Sequence, residues 1–397
     1  MKRLLENIGW TIVSRIGTQG VAVLSNILLA RYLGSDGFGE YAFMSSILLI
    51  GNAFSTFGTD MILIRSLASE DGSFTLADGL LLQLILSLLY VTGVFAVELF
   101  TPVPVSLKIY IFALFPLAFF TISNIDLRAR QEMKKFSFLQ FVFALLQLLA
   151  VFLLRLLHAD INTLSVFMLI VQITTAMFAF TFYTSRFKIW HFSFPRTLAL
   201  LKASAHMAVI GTLRLVYEKI MVAILPMLAG LSMTGIFSVS SRLMDAGKLG
   251  HLSAFTAMYP EMARNAGFGK QMKGLYSLFG AAFLISGFIF IFAETLIRFL
   301  FGVEYISSVQ PLRIMVWAIL PYVFVTYGSL GMIALGIEKP VLSSQLIALA
   351  ALLIFLIGLN SVSGLNGAAF AILFAECIHA TLLWYQWRVN VVSKLPE

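Results

Sequence analysis

Charge is scarce in this 397-residue chain: only 12% of its residues are Asp, Glu, Lys or Arg, while 60% are hydrophobic. A soluble domain carries about 25% charged residues, and a soluble chain of this length could not hide so much apolar surface in its cores. Cysteine is nearly absent. The single Cys377 sits inside an apolar block and excludes an internal disulfide. The five histidines are scattered, and no metal-ligand cluster of the usual spacing is present, so no metal or other cofactor is expected. No nucleotide-binding motif occurs, which argues against direct use of ATP. Long polar loops are also missing, and with them the external loop on which a membrane enzyme carries its catalytic residues.

What remains is apolar sequence in blocks of about 20 residues, the length that crosses a hydrocarbon core about 30 Å thick. The chain reads as an all-α integral membrane protein with about 12 transmembrane helices, near 8–30, 37–60, 75–99, 107–127, 136–157, 161–185, 205–229, 231–258, 274–300, 309–335, 341–360 and 364–388. A net charge of +8 would raise nucleic acid as a partner for a soluble protein. Here the basic residues sit mostly in short loops. With the N-terminus inside, 17 of the 27 fall in cytoplasmic segments, 5 at outer ends and 5 within spans. That bias predicts cytoplasmic N- and C-termini. The run Arg128-Ala-Arg130-Gln-Glu-Met-Lys134-Lys135 reads as part of this orientation signal, or as a holder of anionic headgroups. Glu40 and Asp60, near the ends of the second span, read as hydrated.

The halves repeat each other at an offset of about 200 residues. Gly34 and Gly39, followed by Tyr41 and Ser45, match Gly230 and Gly235, followed by Phe237 and Ser241. Ala113-Leu-Phe-Pro116-Leu-Ala-Phe119 matches Ala318-Ile-Leu-Pro321-Tyr-Val-Phe324, each with a mid-span proline that permits a kink. The organisation expected is an N-terminal six-helix bundle (1–185), a cytoplasmic amphipathic linker (186–204) and a C-terminal six-helix bundle (205–397). The two bundles would be pseudo-symmetric about an axis along the membrane normal, around a central cavity, which is transporter architecture.

Charge inside the hydrocarbon costs about 2.5–3.5 kcal/mol per group on insertion scales. It clusters in three spans. The first has Thr11, Arg15, Thr18, Gln19 and Asn26 on one face. The seventh has Arg214, Glu218 and Lys219. The eighth has Ser238, Ser241, Arg242, Asp245 and Lys248 on one face. Arg214 with Glu218 and Arg242 with Asp245 are spaced to meet within their helices. Arg15, Lys219 and Lys248 have no such partner. The surplus is cationic, and an arginine fork suits a phosphate; the cargo inferred is a diphosphate with a polar head and a lipid tail. Arg15, Gln19, Asn26, Arg214, Lys219, Arg242 and Lys248 are the candidate substrate contacts. Glu218, Asp245, Glu376 and His379 are candidates for ion coupling. The competing reading is structural. Arg15 and Lys248 can snorkel, the two pairs can pin helices, and Glu376 with His379 can be a packing pair.

Several segments resemble the polysaccharide biosynthesis (oligosaccharide flippase) family: Asn7-Ile-Gly-Trp10, Leu29-Ala-Arg-Tyr-Leu-Gly34, Gly37-Phe-Gly-Glu-Tyr-Ala42, Gly58-Thr-Asp60 leading to Ile64-Arg-Ser-Leu-Ala68, and Arg128-Ala-Arg-Gln-Glu-Met-Lys134. The resemblance implies the multidrug/oligosaccharidyl-lipid/polysaccharide exporter fold. It also implies flipping of an isoprenoid-diphosphate-linked glycan, an O-antigen repeat unit for example, across the cytoplasmic membrane. Membrane lipids and other polysaccharide-assembly membrane proteins are further candidate partners. Related flippases carry basic residues in helices 1, 2 and 8; Arg15 and Arg242 match, while the second span has none in its core. The alternatives open at this stage are a cation-coupled multidrug exporter of the same fold and, ranked lower, a membrane enzyme acting on lipid-linked glycans or a scaffold.

Overall fold

The computed structural model describes residues 2–69, 73–183, 193–263 and 268–390, and in them the chain is helical, with no strand among the described residues. The elements are α1 (Lys2–Thr56), α2 (Thr59–Ser69), α3 (Leu76–Val97), α4 (Val105–Tyr110), α5 (Leu114–Ala129), α6 (Met133–Leu156), α7 (Ile161–Tyr183), α8 (Phe194–Ala263), α9 (Phe268–Leu300), α10 (Val309–Met315), α11 (Ile319–Ala334) and α12 (Lys339–Asn390). Short 3-10 turns join α4 to α5 and α10 to α11.

Among the described residues eight helices are long and apolar enough to cross a membrane, or nine if the bent pair of α1 and α2 is one span. Three of these are too long for a single crossing. At 1.5 Å per residue, the 55-residue stretch Phe194–Lys248 would reach about 80 Å. Each is broken at a left-handed glycine: Gly34 in α1 (φ 68°, ψ −176°), Gly230 in α8 (φ 83°, ψ 172°) and Gly364 in α12 (φ 54°, ψ −133°). Counting those three in halves turns nine candidates into twelve spans. Glycine is required there because a Cβ disfavours positive φ. At Gly230 an added Cβ would meet nothing within 4 Å. Gly230→Ala is therefore expected to cost only the conformational penalty, about 1–3 kcal/mol, read as a fall in the melting midpoint of the purified protein.

The chain divides into two compact units, Met1–Ala223 and Ile224–Glu397. The first part of α8 therefore lies with the N-terminal unit. Leu200 joins Leu63, Leu80 and Ile122 in its core, and Arg196 reaches the buried Asp78 at 3.7 Å. Within 186–204, residues 194–204 begin α8, burying Thr197, Leu200 and Ser204 while Phe194, Pro195, Leu198 and Ala199 stay exposed. Residues 186–192 lie outside the described residues.

The repeat found in the sequence recurs as backbone geometry inside each unit. Gly34 and Gly230 make the same break. The 3-10 turn Ile111–Ala113 lies before Pro116 as Val316–Ala318 lies before Pro321. Following α5, Gln131 takes φ 58° and Glu132 N–H donates to Leu127 O; following α11, Gly336 takes φ 73° and Ile337 N–H donates to Met332 O. These are one Schellman-type helix end written twice, 205 positions apart.

One end of the N-terminal unit is held by charge. Asp78 is fully buried, closes a capping box with Thr75 and takes Arg196. Asp126, also fully buried, bonds Arg130, and Arg128 reaches Asp60 at 3.6 Å. Of the run read as an orientation signal, Arg128 thus also joins α5 to α2, and Asp60 is ion-paired. Glu40, likewise expected to be hydrated, accepts a hydrogen bond from the buried Ser106.

Candidate functional site

In the N-terminal unit the first half of α1 carries Gln19, exposed at mid-span, and Asn26, buried, whose Nδ2 donates to Ala22 O at 2.7 Å while its Oδ1 finds no hydrogen-bond partner. Arg15 falls in α1, but its side chain lies outside the described residues. On α8, Arg214 Nε donates to Glu218 at 3.2 Å, as the i,i+4 spacing predicts. Both side chains are exposed, 52% and 40%, so the contact itself adds little stability. Lys219, one position on, is partly buried.

The C-terminal unit holds the rest. Beyond Gly230, α8 carries Ser238, buried, and Arg242, Asp245 and Lys248, partly buried. The Arg242–Asp245 pair that the spacing allows is not formed. Arg242 makes no hydrogen bond or ion pair among the described residues. The residues three apart do share a face, but nothing bends this guanidinium back along its own helix.

Lys248 has company that the linear sequence does not show. Its Nζ lies 3.9 Å from Glu376 Oε1 on α12 and 4.4 Å from the centre of the Tyr322 ring on α11. Glu376 and His379, one turn apart on α12, are both buried. The ion pair is longer than a hydrogen bond, and the aromatic face supplies part of the attraction. Three helices thus bring an ammonium, a carboxylate, an imidazole and a phenol into one region of the unit. Tyr322 and the Lys248–Glu376 pairing escaped the sequence reading. The signal was Tyr322 standing next to the repeat's Pro321.

The family described as polysaccharide biosynthesis protein matches residues 4–266. The chain belongs to this family. No match is found among curated proteins. Among solved structures, the inward closed conformation of the lipid II flippase MurJ superposes with a TM-score of 0.78 at 15% identity, covering 98% of this chain and 88% of that one. An inward-facing multidrug resistance MATE family transporter of the MOP superfamily gives 0.77 at 14% identity, with 96% of each chain covered. A MOP superfamily transporter from Pyrococcus furiosus, described as having a binding pocket of reverse polarity, gives 0.66 at 14% identity over 99% and 95%. The polysaccharide biosynthesis chain therefore has the MOP fold, and it is a multi-pass membrane protein.

Proposed function

We propose that this chain moves a lipid-diphosphate-linked oligosaccharide, a polysaccharide or O-antigen repeat unit on an isoprenoid carrier, across the cytoplasmic membrane by alternating access, with both termini in the cytoplasm. The observation that carries the reading is Arg242: a partly buried guanidinium on a membrane helix, engaged by no protein group among the described residues. Removing a cation from water without a partner is costly. A site that keeps one in waiting is built for an anion, and a planar fork matches the oxygens of a phosphate.

Exposed polar groups at mid-span support a wet interior. Gln19, Arg214 and Glu218 are uncovered near the middle of their spans, where acyl chains would penalise them and an aqueous compartment would not. Arg15, Asn26, Lys219 and Lys248 are assigned with Arg242 to the cargo's headgroup, and Glu218, Asp245, Glu376 and His379 to coupling. A lipid II flippase shares the fold, as does a MATE transporter. The multidrug reading is the less favoured of the two, because drug cations call for surplus carboxylate and the membrane spans here hold surplus Lys and Arg.

Arg242→Ala is expected to slow export of the lipid-linked glycan by about 10–100-fold, the worth of one or two charge-assisted hydrogen bonds. Its melting midpoint should fall only slightly, since no hydrogen bond or ion pair among the described residues is lost. Arg242→Lys should recover part of the rate. The measurement is leaflet accessibility of the glycan in cells that make each variant at normal levels, with Arg15→Ala in parallel. Wild-type export by both alanine variants would remove the phosphate-site assignment.

A further inference from the structure

The bend between α1 and α2 in the N-terminal unit holds polar atoms that neither the fold nor the proposed transport uses. Phe57 (φ 45°) and Gly58 (φ 63°) are both left-handed there, and the helix turns by 42°. Packed on the bend is α3, and its register against α1 and α2 can be followed residue by residue. Tyr90 O–H donates to Ile47 O at 2.9 Å, and its ring fills the space over Gly51. Gln83 Nε2 donates to Thr59 Oγ1 at 3.1 Å, and Leu63 fills the space over Gly79. Gly51, Ser55 and Thr59 follow at intervals of four, and Gln83, Ser87 and Tyr90 at four and three. Ser55 and Ser87 therefore both fall on this seam, between the Tyr90–Ile47 and Gln83–Thr59 bonds.

Ser55, Thr59, Gln83 and Ser87 are all at least 97% buried. Yet Ser55 Oγ, Ser87 Oγ and Gln83 Oε1 have no hydrogen-bond partner among the described residues. Five other buried helix serines settle the matter locally, Ser25, Ser123, Ser165, Ser204 and Ser344 each donating to the carbonyl four residues back, and Ser137, Ser240 and Ser286 donate to carbonyls of other helices or turns. Ser55 and Ser87 do not take that default. Three orphaned buried polar atoms in one place call for a guest.

We infer that the α1–α2 bend is a binding site for a buried water molecule, held by Ser55 Oγ, Gln83 Oε1 and Ser87 Oγ. The valence fits. Two hydroxyl groups donate to the water's lone pairs, and the water donates to the amide oxygen, giving about three bonds, as is usual for an internal water. Water inserted beside a helix ladder is also a recognised cause of sharp bends, and ordered water is one means by which membrane helices break without stranding polar groups. A sodium ion suits the cluster less well. All its ligands would be neutral, and the full cost of burying the charge would fall on them.

The test uses the full-length protein in lipid nanodiscs, imaged at a resolution that shows ordered water. A density peak within hydrogen-bonding distance of all three atoms is the expected result; side chains bonded to each other or to their own helix, with no peak, would overturn the site. Thermal melts of variants test the same claim without imaging. Ser55→Ala and Ser87→Ala should each lower the midpoint by a few degrees, and the double variant should be no worse than the poorer single, because the bridge goes with the first substitution. Additive losses would contradict a shared guest. Melts of the wild type in sodium and in choline chloride should coincide; a sodium-specific rise that Ser87→Ala abolishes would replace water by a cation.

Discussion

Glu376→Leu is expected to cost about 3 kcal/mol, more than any other single loss of charge in the C-terminal unit. The reason is what it leaves behind. Lys248 has only 13% of its side chain exposed, and Glu376 lies 3.9 Å away; removing one partner of a largely buried ion pair takes that compensation from the other charge, at a typical cost of about 3–5 kcal/mol. Lys248→Met in the same background should restore most of the loss, since a pair replaced by apolar groups of similar size is often neutral. The measurement is a double-mutant cycle on the melting midpoint in detergent, which isolates the coupling between the two. Export by the double variant then separates the two roles open to this cluster. A stable double variant that cannot export would place Lys248 and Glu376 in coupling; one that exports normally would make them a structural pin.

Gly58→Ala should cost about 2–4 kcal/mol, combining a strained backbone with an overpacked contact. A Cβ on Gly58 would lie 2.7 Å from Ala208 N and 3.0 Å from Met207 C. Both are main-chain atoms of α8 and cannot rotate away, and Thr212 Oγ1, one turn further on, donates to Ala53 O. Gly93→Ala is the control. An added Cβ there meets nothing within 4 Å, and the residue lies in α3 at ordinary helical φ. Gly93→Ala should leave the melting midpoint unchanged or raise it slightly, by up to about 1 kcal/mol of helix propensity. Equal falls for the two variants would show that close approach at Gly58 is not what holds α8 against the α1–α2 bend.

Much of the fold could be read from residue type because the bilayer leaves few options. An apolar block of about 20 residues has to be a helix, and a glycine or proline that recurs at a fixed offset has to do the same backbone work twice. Gly34 with Gly230 and Pro116 with Pro321 were legible on those grounds. The broken Arg242–Asp245 pair was not, because shared helical face permits a contact without selecting the rotamers that make it. Lys248–Glu376 was hidden for a different reason. Its partners are 128 positions apart on α8 and α12, and no local spacing encodes a tertiary pair. The division at Ala223–Ile224 was hidden too, since it falls inside an apolar stretch of α8 with no change of composition to mark it. Arg196 reaches Asp78, buried in the first turn of α3, a tertiary contact that no local spacing encodes.

Among the described residues Arg242 has no hydrogen bond or ion pair, while Lys248 has Glu376. That distinction sets how the cargo should be chosen. A phosphate-bearing lipid should compete for Arg242, and a neutral glycolipid of the same size should not. The most direct measurement is translocation of an isoprenoid-diphosphate oligosaccharide in vesicles containing only the purified protein, followed by enzymatic access to the sugar on the far leaflet. The expected result is protein-dependent transfer that inorganic diphosphate slows and Arg242→Ala slows by about 10–100-fold. Transfer no faster than in protein-free vesicles, or equal transfer of a lipid lacking the diphosphate, would contradict the account.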